Sequence, residues 1–201
     1  MKAKKWMALA LAVVMAVGML AGCGSGTSSS NRSAMSVSKV NSALRAAESK
    51  TKAKTVDGLN EAVEKAADYM VKRGTLDANT LLGFIASERG YDNNNKYGAV
   101  FVVSEEELEA GISPSRAAEG IASQVKLEAD TSKLEKIGVL DSPERVAAAV
   151  ILGVDGALKE RVENPFVNVS DITYAVSGRK VTLVNDVVYY LIVVEMSTSD
   201  D

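Results

Sequence analysis

The most constraining feature of this sequence is residues 187–194, Val-Val-Tyr-Tyr-Leu-Ile-Val-Val, which are apolar at every position. Successive side chains of a strand point to opposite faces, so a half-exposed strand alternates apolar and polar residues. An uninterrupted apolar run therefore predicts a strand that is buried on both sides. The short turns around it indicate an antiparallel sheet, so the second cover has to come from helices.

Turn residues divide the last third of the chain into short β-branched runs. Ser177-Gly178 and Asn185-Asp186 are typical of two-residue hairpin turns. They predict a three-strand meander over residues 171–176, 180–184 and 187–195. A further apolar run at residues 98–103 predicts one earlier strand.

Capping and stop signals divide the middle of the chain into helices. Gly74 and Gly90 follow basic helix ends, and Ser104 with Glu107 has the form of a capping box. Asp57 is placed to cap the second helix. Together with the strands, the helices predict an α+β fold, with several helices on a small antiparallel sheet and, if both faces are covered, a three-layer α-β-α sandwich. The helices are expected at residues 36–50, 57–73, 77–89, 104–110, 113–125, 132–137 and 142–162.

The longest predicted helix carries small residues at every fourth position, Ala149, Gly153 and Ala157. Glycine inside a helix costs about 1 kcal/mol relative to alanine. Close approach of another element compensates for that cost. The charged residues at the end of this helix favour a contact inside a soluble core over a contact between membrane helices.

The first residues have the order of an export signal. Three lysines precede an apolar run at residues 6–19, and the small residues Leu20-Ala21-Gly22 lead to Cys23. The run is short for a membrane span, which needs about 20 residues. Leu20-Ala21-Gly22-Cys23 resembles the lipobox of bacterial lipoproteins. The resemblance implies that the cysteine receives diacylglycerol and that a peptidase cuts before it.

This resemblance predicts three parts: a signal peptide over residues 1–22, a lipid-anchored flexible tether over 23–35, and one α+β domain over 36–201. The tether composition is rich in Gly and Ser, which favours a flexible chain. Two acyl chains on Cys23 would anchor the protein stably, whereas a single chain binds marginally. The predicted location is the extracytoplasmic face of the cell membrane.

Charge and composition exclude several classes of function. The chain is 47% hydrophobic and 24% charged, which is typical of a globular protein. Removing the leader with its three lysines leaves 20 basic and 26 acidic residues, a formal charge of −6. That charge argues against nucleic acid as a partner. The absence of histidine and the single cysteine exclude histidine-dependent triads, histidine-ligated zinc and disulfides.

Other candidate motifs do not support a catalytic, cofactor or metal site. Residues 92–103 begin like a calcium loop but lack its glycine and final glutamate. The Ser-x-x-Lys motif of penicillin-binding enzymes occurs without its companion motifs. The glutamates of the short helix after Ser104 indicate a solvated first turn rather than a facing carboxylate pair. The Ser-x-x-Lys pairs are Ser36/Lys39, Ser49/Lys52 and Ser123/Lys126.

Two segments resemble the CAP superfamily, the cysteine-rich secretory protein-like domains of bacterial surfaces. Residues 59–70 are similar to its early helix, and Ser142-Pro143-Glu144-Arg145, Asn164-Pro165-Phe166 and Tyr189-Tyr190 are similar to its C-terminal half. The resemblance implies a small antiparallel sheet between helical layers. The family's cavity histidines have no counterpart here, so no metal or hydrolytic role and no functional residue is carried over.

The sequence therefore predicts a lipoprotein with a non-catalytic binding or structural role at the cell envelope. Its expected partners are the membrane, through lipid on Cys23, and an envelope protein or wall component. Two alternatives stay open. One is an envelope hydrolase that uses carboxylate or serine chemistry, and the other is a carrier of a small ligand.

Overall fold

The computed structural model describes most of the chain between Met35 and Thr198, together with two short segments before it. The described residues are 11–13, 30–31, 35–91, 96–125, 131–161, 172–184 and 186–198. The strands are β1 Leu11–Val13, β2 Ser30–Asn31, β3 Ala53–Lys54, β4 Lys96–Ser104, β5 Ile172–Thr182 and β6 Val188–Thr198. The helices are α1 Val37–Ala46, α2 Asp57–Arg73, α3 Ala78–Arg89, α4 Glu105–Ala110, α5 Pro114–Val125, α6 Thr131–Ile137 and α7 Pro143–Arg161.

All six strands belong to one sheet in the order β1-β4-β6-β5-β2, and β3 also pairs with β5. The three long strands β4, β6 and β5 are antiparallel, with β6 in the middle. The short strands make the sheet mixed, because β1 lies parallel to β4, β3 lies parallel to β5 and β2 lies antiparallel to β5. The predicted α+β class and the earlier strand are confirmed.

Helices cover both faces of this sheet, as the apolar run of β6 requires. Ile192 and Val194 belong to the core under α1, α5, α6 and α7, which we call the α1/α7 face. Leu191 and Val193 belong to the core under α2 and α3, the α2/α3 face. All four side chains are fully buried, so neither face of β6 is in water over residues 191–194, whereas residues 188–190 at the start of the strand are half-buried.

The turn predicted at Ser177-Gly178 is wrong, because β5 continues through both residues. The buried Ser177 hydroxyl donates a hydrogen bond to Asn60 Oδ1 of α2, at 2.7 Å. A Cβ on Gly178 would lie 3.2 Å from the Leu191 carbonyl oxygen and 3.3 Å from Met35 Cβ. The glycine therefore marks close packing within a strand rather than a turn. One hairpin, β5–β6, replaces the predicted meander.

The helix signals are largely confirmed. Gly74 and Gly90 end α2 and α3 with φ of 60° and 61°, the left-handed conformation that glycine adopts without strain. Ser104 and Glu107 form the predicted capping box at α4. The predicted cap at Asp57 is wrong, because Val56 occupies that position and Asp57 is the first residue of α2. A favourable interaction with the helix dipole explains the acidic residue there.

Two short strands come from the segments predicted to be leader and tether. Leu11–Val13 form β1 beside β4. Ser30–Asn31 form β2, which pairs with Lys180 and Val181 of β5. The remainder of residues 1–34 lies outside the described residues, and so does Cys23.

Candidate functional site

A polar recess opens on the α1/α7 face, between the first turns of α1 and α7 and the β5–β6 hairpin. Its volume is about 340 Å³. The polar residues of its lining are Ser36, Lys39, Glu144, Arg179 and Tyr190. The apolar part of the lining is formed by Met35, Pro143, Gly178 and Leu191.

Local structure holds the two helix starts against each other at this recess. Ser36 caps α1, and its Oγ accepts a hydrogen bond from the Lys39 backbone N–H, at 3.4 Å. The Ser36 backbone N–H in turn donates to Glu144 Oε1 in the first turn of α7, at 3.2 Å. Because Gly178 has no side chain, the sheet surface between the two helix starts is recessed. The Ser36/Lys39 pair is therefore a helix cap here.

Beside the recess, Tyr190 connects to an ion pair on the same face. Lys180 Nζ donates to Glu105 Oε1 at 2.6 Å, and the Tyr190 hydroxyl donates to the same oxygen at 3.1 Å. The hydrogen bond from Lys180 is the main reason that the pKa of Glu105 is lowered, and the pKa of Lys180 is raised by the same bond. Burial raises the pKa of Tyr190. All three groups therefore keep their ordinary protonation states at neutral pH.

Arg179 also borders the recess, but its side chain extends to the α2/α3 face of β5 and is only 10% exposed. Its Nη1 donates to the Gly178 carbonyl oxygen at 3.1 Å, and its Nη2 lies 4.0 Å from Glu64 Oε2. Its Nε has no hydrogen-bond partner among the described residues. A buried N–H without a partner is uncommon, so this guanidinium is the least satisfied polar group of the region.

Two buried polar clusters lie elsewhere in the core, and the sequence analysis missed both. Arg89 of α3 donates two hydrogen bonds to Glu195 of β6, at 2.8 and 2.9 Å, with both side chains nearly inaccessible. Asp155 of α7 accepts hydrogen bonds from Tyr174 and Thr51, each at 3.4 Å. Burial raises the pKa of Tyr174, and Asp155 adds to that shift.

A signal for the first cluster was present in the sequence. Glu195 directly follows the eight-residue apolar run, and a carboxylate in a doubly buried strand requires a partner. Nothing in the sequence identified Arg89 as that partner, since the two are 106 residues apart. Both clusters tie a helix to the sheet and have no open access, so their role is structural.

The candidate residues singled out from the sequence do not come together at one site within the described residues. Ser49 Oγ accepts a hydrogen bond from the Thr51 backbone N–H, so the Ser49/Lys52 pair is a local turn. Glu107 caps α4, and Glu105 is paired with Lys180. Cys23, the calcium-loop residues 92–95 and the side chains of the Ser123/Lys126 pair lie outside what the structure describes.

The described part of the chain has neither a metal-binding cluster nor a membrane-spanning helix. It contains no group of three or more acidic, histidine or cysteine side chains placed to hold a metal ion. Within the same residues, no helix combines the length and the apolarity needed to cross a bilayer.

No family model, no curated protein and no solved structure matches this chain. The resemblances to bacterial lipoproteins and to the CAP superfamily therefore stay predictions from the residues that carry them.

Proposed function

We propose that this chain is the precursor of a lipoprotein that acts by binding at the extracytoplasmic face of the membrane. The observation that carries the proposal is the order of residues before the domain: lysines, an apolar run, Leu20-Ala21-Gly22 and then Cys23. Removal of residues 1–22 would make Cys23 the first residue, and lipid on its sulfur would anchor the domain.

The geometry of the tether supports an anchored domain close to the membrane. Six residues separate Cys23 from Ser30, where β2 joins the edge of β5, so the two positions are seven residue steps apart. A fully extended chain of that length spans at most about 24 Å. The β5 edge of the sheet would thus stay within that distance of the lipid headgroups.

The charge states at the recess support a binding role rather than a catalytic one. A general base or a nucleophilic amine works best with a pKa near neutrality. Here the pKa of Glu105 is lowered and the pKa of Lys180 is raised, so both move away from neutrality. The cause is that each group stabilises the charge of the other. The raised pKa of Tyr190 likewise keeps its hydroxyl protonated.

Anchoring is tested by comparing the wild-type chain with Cys23→Ala in a bacterial host, with Ser28→Ala in the tether as the matched control. Wild type and Ser28→Ala should sediment with membranes, and their intact mass should equal residues 23–201 plus lipid. Cys23→Ala should leave the lipid-bound fraction. Membrane association of Cys23→Ala at the wild-type level would contradict the proposal, and so would an unmodified thiol on the wild-type protein.

A carrier of a small ligand is the second candidate, and the recess is the observation that favours it. Its volume of about 340 Å³ lies at the lower end of the range for ligand pockets. Lys39 offers a donor that suits a ligand rich in oxygen atoms. A bound ligand would raise the unfolding temperature, so a thermal screen against small carboxylates and sugars distinguishes this role.

A further inference from the structure

The outer edge of β4 carries this inference. On its inner side β4 pairs with β6 in a register that runs without interruption from Lys96↔Ser197 to Ser104↔Tyr189. On its outer side the pairing extends only over residues 99–101, which lie opposite Leu11–Val13 of β1. A short stretch of the predicted leader thus occupies the edge of the sheet.

Within the described residues, this edge lacks the charges, proline and bulge by which many natural sheets protect an edge. Between Gly98 and Val103 there is no proline and no charged residue, and the five residues 99–103 are all at most 5% exposed. The continuous register with β6 leaves no bulge in β4. An unpaired edge of this kind is a template for another strand.

Removal of the leader would take β1 away from this edge, and in this respect the inference rests on the proposed function. The tether is a poor replacement, because residues 24–30 are all Gly, Ser or Thr. The tether also enters the domain at the opposite side of the sheet, where β2 pairs with β5. The mature protein therefore needs another occupant for the edge.

The helices beside the edge indicate what kind of occupant fits. β1 lies against α3, which covers the α2/α3 face, and against α5, which covers the α1/α7 face. Together with the edge at residues 99–101, these two helices form what we call the β4 groove. In the structure this groove holds one extended segment, β1, between the two helices.

We propose that the β4 groove of the mature protein binds an extended, uncharged aliphatic segment of a partner protein, parallel to β4. Backbone hydrogen bonds to residues 99–101 would supply the pairing, as β1 does in the precursor. The leader sequence around Leu11–Val13, which consists of Ala, Leu, Val and Met, defines the chemistry of that segment.

The test uses the mature chain, residues 23–201 with Cys23→Ser to prevent lipidation, and a fluorescent peptide of residues 8–17 with added terminal lysines for solubility. The control is the same peptide with N-methyl groups on the three backbone nitrogens of residues 11–13, which cannot donate hydrogen bonds. Fluorescence anisotropy should show binding of the first peptide. The control peptide should bind with an affinity lower by a factor of about ten or more. Amide hydrogen exchange at residues 99–101 should slow when the first peptide is added.

Three results would overturn the inference. They are no binding at millimolar peptide, equal binding of the two peptides, and a concentration-dependent dimer of the mature chain that excludes the peptide. The last result would identify a second copy as the occupant. Removal of the leader is measured separately, by the intact mass of the protein expressed in cells. A retained leader would defeat the proposed function, whereas the peptide titration tests the groove whatever that mass is.

Discussion

Replacing Gly153 in the middle of α7 by alanine should destabilise the protein, although alanine has the higher helix propensity. Propensity alone predicts that Gly→Ala in a helix interior stabilises by about 1 kcal/mol. In this structure an added Cβ would lie 2.7 Å from Cγ2 and 3.0 Å from Cδ1 of Ile121 on α5. Ile121 is 1% exposed, and its Cγ2 is attached directly to Cβ, so the clash cannot be relieved by a flexible side-chain end.

The expected magnitude follows from two opposing effects. Overpacking a buried contact costs about 1–3 kcal/mol. The gain in helix propensity offsets about 1 kcal/mol of that cost. Gly153→Ala should therefore lower the free energy of unfolding by roughly 1 kcal/mol.

Gly83 provides a matched control in α3. An added Cβ there meets no atom within 4 Å, and the residue is exposed. Gly83→Ala should raise the free energy of unfolding by up to about 1 kcal/mol, so the two alanine variants should differ by about 2 kcal/mol.

Urea unfolding followed by circular dichroism measures both effects. A second background isolates the contact. Ile121→Ala removes the clashing atoms, and within that background Gly153→Ala should become stabilising. If Gly153→Ala stabilised the wild-type protein as much as Gly83→Ala does, the close packing of α5 on α7 would be refuted as the reason for the glycine.

Two further predictions concern charged groups. Arg89→Met or Glu195→Leu should each lower the free energy of unfolding by about 3–5 kcal/mol, because each leaves a buried charge without its partner. The double variant should lose less than the sum in urea titrations, and simple additivity would contradict the pairing. The lowered pKa of Glu105, due chiefly to Lys180, stabilises the fold above its unfolded pKa of about 4.3. This stabilisation is lost as pH falls through the lower folded pKa. Between pH 6 and about pH 3, the melting temperature of Glu105→Gln should therefore fall by less than that of the wild type. Equal falls in melting temperature would contradict the role of the ion pair.

Local signals predicted much of this fold correctly. The apolar run of residues 187–194 predicted a doubly covered strand, and this holds for its second half, residues 191–194, while residues 187–190 are half-buried. Gly74, Gly90 and the Ser104 capping box marked helix ends through interactions within a few residues. The small-residue stripe of α7 predicted a close core contact, which the structure places at Gly153 against Ile121.

Features that depend on distant residues were not predictable in the same way. Ser177-Gly178 has the composition of a turn, and only the packing of Asn60 and Met35 against it shows why the strand continues. The recess combines residues from the starts of two helices and from a hairpin, so no local sequence pattern predicts it. The partner of Glu195 likewise required the tertiary fold.

The order of the strands has a consequence for the folding of the chain during synthesis. β6 is the middle strand of the long three, yet it comes after β4 and β5 in the chain, and those two strands do not pair with each other. Pairs such as Gly98↔Glu195 join residues almost one hundred positions apart, and contacts of this kind form slowly. A nascent chain cannot complete its sheet until residues 188–198 are available. A chain with this topology therefore cannot complete its sheet before nearly all of it has been synthesised.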